Sequence, residues 1–181
     1  MIRELHFPTP IYILDIKDKN LNAQLEKDVI SWMNQDKGIK RTNIKGWHST
    51  TNMHERPEFK RLVNALYEAQ KKIYIEEHYK SEPFLGNMWA NINPPGGMNR
   101  AHQHPNSLWS GVYYIKAPKN SGNLKIDDPR SSASMCRPQQ KEGKNGLKNE
   151  KHVFSTFTLR NDALRSSYFA CAFLLMSWTR F

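Results

Sequence analysis

The stretch NRAHQHPNSLWSGVYYI, residues 99–115, decides the interpretation of this sequence. Its alternation predicts two strands, 98–104 and 108–116, separated by Pro105 and Asn106. Because successive side chains in a strand point to opposite faces, His102 and His104 should leave the same face of the first strand.

A third predicted strand begins at Phe84 and alternates between two faces of different chemistry. The apolar face consists of Phe84, Gly86, Met88, Ala90 and Ile92, and the other face consists of Leu85, Asn87, Trp89, Asn91 and Asn93. The asparagine-rich face is typical of the inside of a polar, ligand-filled barrel, or of an edge strand that faces water.

The rest of the chain adds two helices and several short strands. The spacing of apolar residues predicts a first strand over 7–16, a helix over 20–36, loop or short strand over 46–53, and a helix whose first turn contains Pro57. A strand over 123–127 should form a hairpin with strand 108–116, and one more strand is expected within 152–159. Together these elements predict a single α+β domain, 1–181, built on a sandwich or barrel. Residues 129–151 are too long and polar for an ordinary loop and suggest a flexible loop or lid.

The composition limits the classes of function that this chain could have. Lysine and arginine number 27 against 17 acidic residues, a formal net charge of +10, which allows attraction to nucleic acid, although no RRM, KH or zinc-finger pattern is present. The two cysteines cannot form a disulfide framework, and no apolar run is long enough to span a membrane. We therefore expect a cytoplasmic protein without membrane association.

The pair His102 and His104 is the strongest candidate for a metal-binding site. Two imidazoles on one strand face can converge on one divalent metal ion, and a third ligand would leave positions open for a cosubstrate and dioxygen. The pattern HxH alone is weak, because two surface histidines on a strand are common.

The context of this pair resembles a family of small 2-oxoglutarate/Fe(II)-dependent oxygenases of bacteria and bacteriophages. The similarity is carried by the phrases WANIN (89–93), HQHPNS (102–107), SGVYYI (110–115) and GNLKIDDPR (122–130), with FPTPIY (7–12) resembling the family's start. It implies a double-stranded β-helix, a jelly-roll or cupin-like barrel, with the N-terminal helices packed outside. It also implies hydroxylation of a substrate coupled to conversion of 2-oxoglutarate to succinate and CO2.

In this family His102 and His104 would be the first two Fe(II) ligands, although the wider superfamily has Asp or Glu where His104 stands. The resemblance places a third histidine on a late strand, followed by an arginine that pairs with the distal carboxylate of 2-oxoglutarate. Ascorbate is the stimulatory reductant that the resemblance suggests.

The C-terminal sequence departs from that pattern. No histidine follows His152, and the tail 160–181 matches nothing in the family's expected late strands. Two explanations stay open: a reading frame that slipped near 158–161 or a truncated C-terminus, which leaves the barrel incomplete, and a divergent final strand and helix. His152 is a weak candidate for the third metal ligand, and Arg165 or Arg160 for the carboxylate anchor.

Other residues are candidates for the walls of the site. The expected cosubstrate contacts are Asn91, Asn93 and Tyr113, with satisfaction of buried polar groups as the alternative role. Trp89 and Trp109 are candidate substrate contacts or core residues. The histidines expected to be ordinary surface or loop residues are His6, His48, His54 and His78.

Three functional hypotheses follow. The first is an iron- and 2-oxoglutarate-dependent oxygenase acting on an unidentified small or macromolecular substrate. The second is an inactive, oxygenase-fold binding module, and the third is a basic nucleic-acid-associated protein. A homodimer is compatible with each of them.

Overall fold

The computed structural model describes residues 2, 9–16, 18–118, 121–122 and 124–127, and the backbone of 156–159 and 169–177. Two helices and eight strands are present in these ranges. They are, in chain order, α1 (Lys19–Gln35), β1 (Asn43–Ile44), β2 (Trp47–His48), α2 (Lys60–Glu76), β3 (Leu85–Asn93), β4 (Met98–Asn99), β5 (Ser107–Lys116), β6 (Leu124–Asp127), β7 (Thr156–Leu159) and β8 (Phe169–Ser177).

Helix α1 is started by a side-chain cap and packs through one apolar stripe. The Asp18 carboxylate accepts a hydrogen bond of 2.9 Å from the backbone N–H of Leu21, which satisfies one donor of the first turn. The same carboxylate pairs with Arg61 of α2 and so ties the two helices together. Four side chains at helical spacing are at most 3% exposed, namely Leu21, Leu25, Val29 and Trp32.

Helix α2 follows two short 3₁₀ turns, Met53–Glu55 and Pro57–Phe59. Pro57 lies at the start of the second turn, as the sequence predicts, where its missing N–H costs nothing. Phe59 and Leu62 are fully buried against the first helix and the sheet.

The main sheet has four strands in the order β2–β3–β8–β5, and every neighbouring pair is antiparallel. Two further two-stranded ladders pair β1 with β4 and β6 with β7. The hydrophobic core lies between the helices and one face of this sheet, where Met88, Ala90, Ile92 and Ile115 are at most 6% exposed. The mixed α+β class predicted from the sequence is therefore confirmed.

No barrel closes within the described part of the chain, so the double-stranded β-helix is not confirmed there. Within the tail 160–181, the segment Phe169–Ser177 is a strand between β3 and β5. The predicted lid, 129–151, lies outside the described residues, as do 160–168 and 178–181 of the tail.

Three predicted strand features are wrong. Residues 9–16, part of the expected first strand, pair with no strand among the described residues, and Pro10 offers no N–H to a ladder. Instead, the Tyr12 ring packs edge-on against Trp109, with centroids 5.5 Å apart, and its hydroxyl donates a 2.6 Å hydrogen bond to Glu77. This hydrogen bond is the main reason that the pKa of Tyr12 is raised to about 12.

The expected strand 98–104 ends at Asn99; the Arg100 N–H still donates to Thr42 O at 2.9 Å, in register with the β1–β4 ladder, and the next residues form a loop. That loop ends in a turn where Asn106 has a φ of +63°, a conformation that asparagine tolerates better than most residues.

The predicted hairpin between β5 and β6 is also not formed. A turn is present, since Ser121 N–H donates to Pro118 O at 3.0 Å and Gly122 has a φ of +87°. The two strands nevertheless pair with β8 and β7 respectively.

The core assignment predicts a difference between two apolar residues of α2. Leu62→Ala, at a fully buried position, should lower the free energy of unfolding by about 2–5 kcal/mol, because it leaves a cavity between helix and sheet. Ile75→Ala, at a position 74% exposed, should change it by no more than about 0.5 kcal/mol. Urea denaturation followed by circular dichroism measures both, and equal losses would contradict this packing of α2.

Candidate active site

A polar pocket of about 370 Å³ lies at the face of β3 opposite the core. Strand β3 contributes Asn87, Trp89 and Asn91, the alternate residues that the sequence places on its polar face. The remaining lining residues come from the neighbouring segments: Arg41, Thr42, His48, Thr51, Asn99, His102, Gln103 and His104.

Strand β3 is flanked on both sides, by β2 and by β8, so it is not an edge strand. The polar face of three asparagines and a tryptophan is therefore not explained by an edge open to water. Trp89 is 6% exposed and Asn91 only 1%, which means that these residues form a wall of the pocket within the folded chain.

His102 and His104 lie in the loop after β4, and their rings meet in the pocket. Their ring centroids are 4.6 Å apart at an angle of 78°. The sequence predicts this convergence from a strand, whereas the structure brings the two rings together through a loop.

The backbone fixes the tautomer of His102. Its Nδ1 lies 2.7 Å from the carbonyl oxygen of Arg100. Because a carbonyl oxygen can only accept, Nδ1 carries the proton, and in the neutral ring Nε2 then bears the lone pair. A histidine whose Nδ1–H is bonded to a backbone carbonyl is in the form that binds metal through Nε2.

His104 lies deeper than His102 and contacts the tryptophan of β3. Its ring is tilted against Trp89, with centroids 5.6 Å apart. Burial lowers the pKa of His104, and the nearby His102 lowers it further. Both effects favour the neutral form of the His104 ring, which is the protonation state that a metal ligand requires.

His48 is a pocket residue that the sequence interpretation assigned to the ordinary surface or loop histidines, and that assignment is wrong. It is 5% exposed and its ring stacks on Trp89 at 5.4 Å, nearly parallel. Its Nδ1 donates to Ser49 O at 2.6 Å. Burial lowers the pKa of His48, and the nearby Arg41 and His102 side chains lower it further.

The close approach that places His48 depends on Gly38. This residue has a φ of +69°, and a Cβ added there would lie 2.5 Å from His48 O and 2.7 Å from the Trp47 ring. The Ile39 N–H donates to the same carbonyl oxygen at 2.8 Å. The sequence signal was present, since Gly38 follows α1, but it predicted only the end of a helix.

Two atoms of the residues that line the pocket lack a hydrogen-bond partner. Among the described residues, Oδ1 of Asn91 and Oδ1 of Asn99 are buried and unpartnered. A buried polar atom without a partner costs roughly 1–3 kcal/mol, so a polar ligand or water that donates to these atoms would recover that cost. The sequence analysis identified Asn91 but not Asn99.

The structure places the other candidate residues outside the pocket lining. Asn93 is 9% exposed and lies beside Gly46, where an added Cβ would be 2.0 Å from its Oδ1. The Tyr113 hydroxyl donates to Asn22 of α1, and burial raises the pKa of Tyr113. Trp109 packs partly buried against the core and Tyr12. His152 and Arg165 lie outside the described residues.

The described residues supply two imidazoles that suit Fe(II), but no cluster of three or more histidine, cysteine, aspartate or glutamate side chains among them could hold a metal ion. His48 lines the same pocket with its ring stacked on Trp89, and it does not form such a cluster with His102 and His104. No helix in the described part of the chain is long and apolar enough to cross a membrane.

The burial of His48 predicts a pH dependence of stability. Since its pKa is lower in the folded chain than the ordinary 6.5, the unfolded chain binds more protons, and the free energy of unfolding should fall as the pH drops below about 6.5. His48→Asn keeps a donor for Ser49 O and removes the titrating ring, so it should reduce this slope. Urea titrations between pH 7.5 and 5.5 measure the slope, with His78→Asn as a variant that removes an exposed histidine. Equal slopes in the wild type and in His48→Asn would contradict the assignment.

Comparison with known proteins agrees with the geometry of this pocket. A family model described as "Putative 2OG-Fe(II) oxygenase" matches residues 87–159. No curated protein matches the chain at a significant level. The matched range begins at Asn87 and includes Trp89, Asn91, His102 and His104, which are all pocket residues. Over this range, which is less than half of the chain, the sequence is similar to the 2OG-Fe(II) oxygenase family.

Proposed function

We propose that the chain is a 2-oxoglutarate/Fe(II)-dependent oxygenase that hydroxylates its substrate in the pocket beside β3. The observation that carries this proposal is the meeting of His102 and His104, 4.6 Å apart between ring centroids, in a pocket. Both histidines and the pocket residues of β3 lie in the range that the family model matches. Bound Fe(II) and 2-oxoglutarate would supply the oxidising chemistry, with release of succinate and CO2.

In this proposal His102 and His104 hold the metal through their neutral rings. The Arg100 carbonyl orients His102 through Nδ1, and the Trp89 ring limits the positions of His104. These two contacts restrict the orientations of the histidine rings before a metal binds. Metal binding then has less conformational freedom to remove. Two histidines leave the other coordination positions for a third protein ligand, for the cosubstrate and for dioxygen.

The polar wall of the pocket orients small polar molecules. Asn91 and Asn99 each present a buried amide oxygen, and Thr51 and Asn87 lie at the same pocket. These groups favour a ligand rich in hydrogen-bonding atoms over an apolar one. We assign cosubstrate contact to Asn91 on this ground, and substrate contact to Trp89 because its ring lines the same pocket.

We also propose that the complete domain is a double-stranded β-helix, that the protein is cytoplasmic and of bacterial or phage type, and that ascorbate stimulates its activity. The family match ends at residue 159, within the segment 158–161 where the sequence departs from the family's pattern. We therefore leave His152 and Arg165 as weak candidates for the third ligand and the carboxylate anchor.

The proposal predicts stabilisation by metal and cosubstrate. In anaerobic thermal unfolding, Mn(II) as a stand-in for Fe(II) should raise the midpoint, and 2-oxoglutarate should raise it further. A ligand at a hundred times its dissociation constant stabilises the native state by roughly 2.7 kcal/mol. Each kcal/mol raises the midpoint by about 2–4 °C in a chain of this size.

The double variant His102→Ala/His104→Ala should lose both shifts, whereas Gln103→Ala, which removes the side chain between them, should keep the metal shift. Metal binding without a cosubstrate effect would favour the inactive binding module. Salt-sensitive binding of DNA or RNA, with no metal effect and no change in the double variant, would favour the nucleic-acid-associated protein.

A further inference from the structure

The positive charge of the chain is concentrated in the two segments that build the pocket. Residues 37–54 and 83–126 supply every residue that lines it, and together they contain eight lysines and arginines and no aspartate or glutamate. The rest of the chain holds all 17 acidic residues and is nearly neutral. A surface of one sign of charge around a cavity raises the local concentration of ligands of the opposite sign.

Four of these cations are exposed and flank the β1–β4 ladder. We call them the cationic strip: Lys40, Arg41, Lys45 and Arg100. The ladder holds them together, because β1 lies between Arg41 and Lys45 and β4 ends one residue before Arg100. The Arg100 N–H donates to Thr42 O at 2.9 Å, which extends the pairing towards Arg41. Arg41 also lines the pocket, so the strip reaches the site itself.

No carboxylate in the described part of the chain forms an ion pair with a residue of the cationic strip. Other lysines of the two segments differ in this respect, since Lys116 pairs with Glu26 of α1 and Lys125 lies 3.6 Å from Asp127. Exposed cations without an acidic partner are suited to phosphates, because each phosphate that they neutralise releases counterions. Several such cations in one strip favour a ligand that carries several phosphates.

The pocket beside the cationic strip favours a ligand that also brings hydrogen-bond donors. Asn91 and Asn99 line it, and each has a buried Oδ1 without a partner among the described residues. An amide oxygen can only accept, so the ligand must donate. Nucleic acid combines both features, with phosphates outside and the amino groups of its bases inside. An acidic peptide has the charge, but its carboxylates are acceptors only.

We propose that the cationic strip binds the phosphates of a single-stranded nucleic acid and brings one of its nucleotides, with a base that carries an amino group, into the pocket. That this nucleotide is the oxygenase substrate rests on the proposed function. One oxygen atom of dioxygen then enters a C–H bond of the nucleotide and the other enters succinate, while 2-oxoglutarate loses CO2 and supplies the two electrons.

Two observations favour a single strand with one inserted base. Asn91 is only 1% exposed, and a base that is stacked in a duplex cannot reach a recessed group without leaving its stack. The cavity of about 370 Å³ is large enough for one nucleobase.

The first experiment measures binding of a short, labelled single-stranded oligodeoxycytidine to the full chain by fluorescence anisotropy at several salt concentrations. Lys40→Gln/Lys45→Gln should lower the slope of log K against log salt concentration by about 1.4, roughly 0.7 for each lost phosphate contact. The matched control, Lys60→Gln/Lys72→Gln, removes two exposed lysines of α2 and should keep the wild-type slope. Equal losses in the two variants would overturn the strip, because net charge alone would then explain binding.

The second experiment tests entry of a base into the pocket. Oligodeoxyuridine matches oligodeoxycytidine in size and charge but has a carbonyl in place of the amino group, so the wild type should bind it about ten-fold more weakly. Asn91→Leu should reduce this preference and leave the salt slope unchanged, since Asn91 is not part of the cationic strip. No preference in the wild type would overturn base entry. Deoxycytidine monophosphate bound as tightly as the oligonucleotide, or a duplex bound equally well, would overturn the single strand as the ligand.

The thermal shifts with Mn(II) and 2-oxoglutarate separate this inference from the proposed function. If the oligonucleotide binds through the cationic strip but neither addition raises the midpoint, the nucleic-acid site stands and the oxygenase proposal fails. If both additions raise the midpoint and the oligonucleotide does not bind, the oxygenase proposal stands and its substrate is not a nucleic acid. Binding of anionic phospholipid vesicles that is lost in Lys40→Gln/Lys45→Gln, without oligonucleotide binding, would assign the strip to a membrane surface instead.

Discussion

The two chemically opposite faces of β3 are the constraint on which the rest of this structure depends. Met88, Ala90 and Ile92 point into the hydrophobic core, while Trp89 and Asn91 line the pocket. Because the side-chain period of a strand is two, a shift of one residue in its pairing would place asparagines in the core and apolar residues in the pocket. Packing of the helices against one face therefore also fixes the composition of the other.

The pocket is built at some cost to stability. Buried amide oxygens without partners at Asn91 and Asn99, and a histidine buried at His48, are features that an optimally stable fold would avoid. All three lie at the same cavity. Sites of this kind are where proteins commonly accept such costs, since the groups that destabilise the empty pocket are those that a ligand can satisfy.

The protonation of the pocket histidines and the charge of Arg41 favour the same kind of ligand. His48 and His104 have lowered pKa values because they are buried, and the backbone carbonyl of Arg100 sets the proton position of His102. Neutral imidazoles suit a metal cation, and the neighbouring guanidinium of Arg41 suits an anion. A pocket that presents both groups is complementary to a metal ion together with a small carboxylate.

The sequence by itself determined the elements whose signal is local. The stripe from Leu21 to Trp32, the turn at Pro57 and the two faces of β3 follow from periods of 3.6 and 2 and from the fixed φ of proline, which act over a few residues. Tertiary structure alone decided which distant segments meet. Gly38 brings His48 against Trp89, and the Asn43–Asn99 pairing places Arg41 and His102 at the same pocket. These contacts join residues far apart in the chain, so no local period carries their signal, and the partner of a two-residue strand is chosen by the packing of the whole domain.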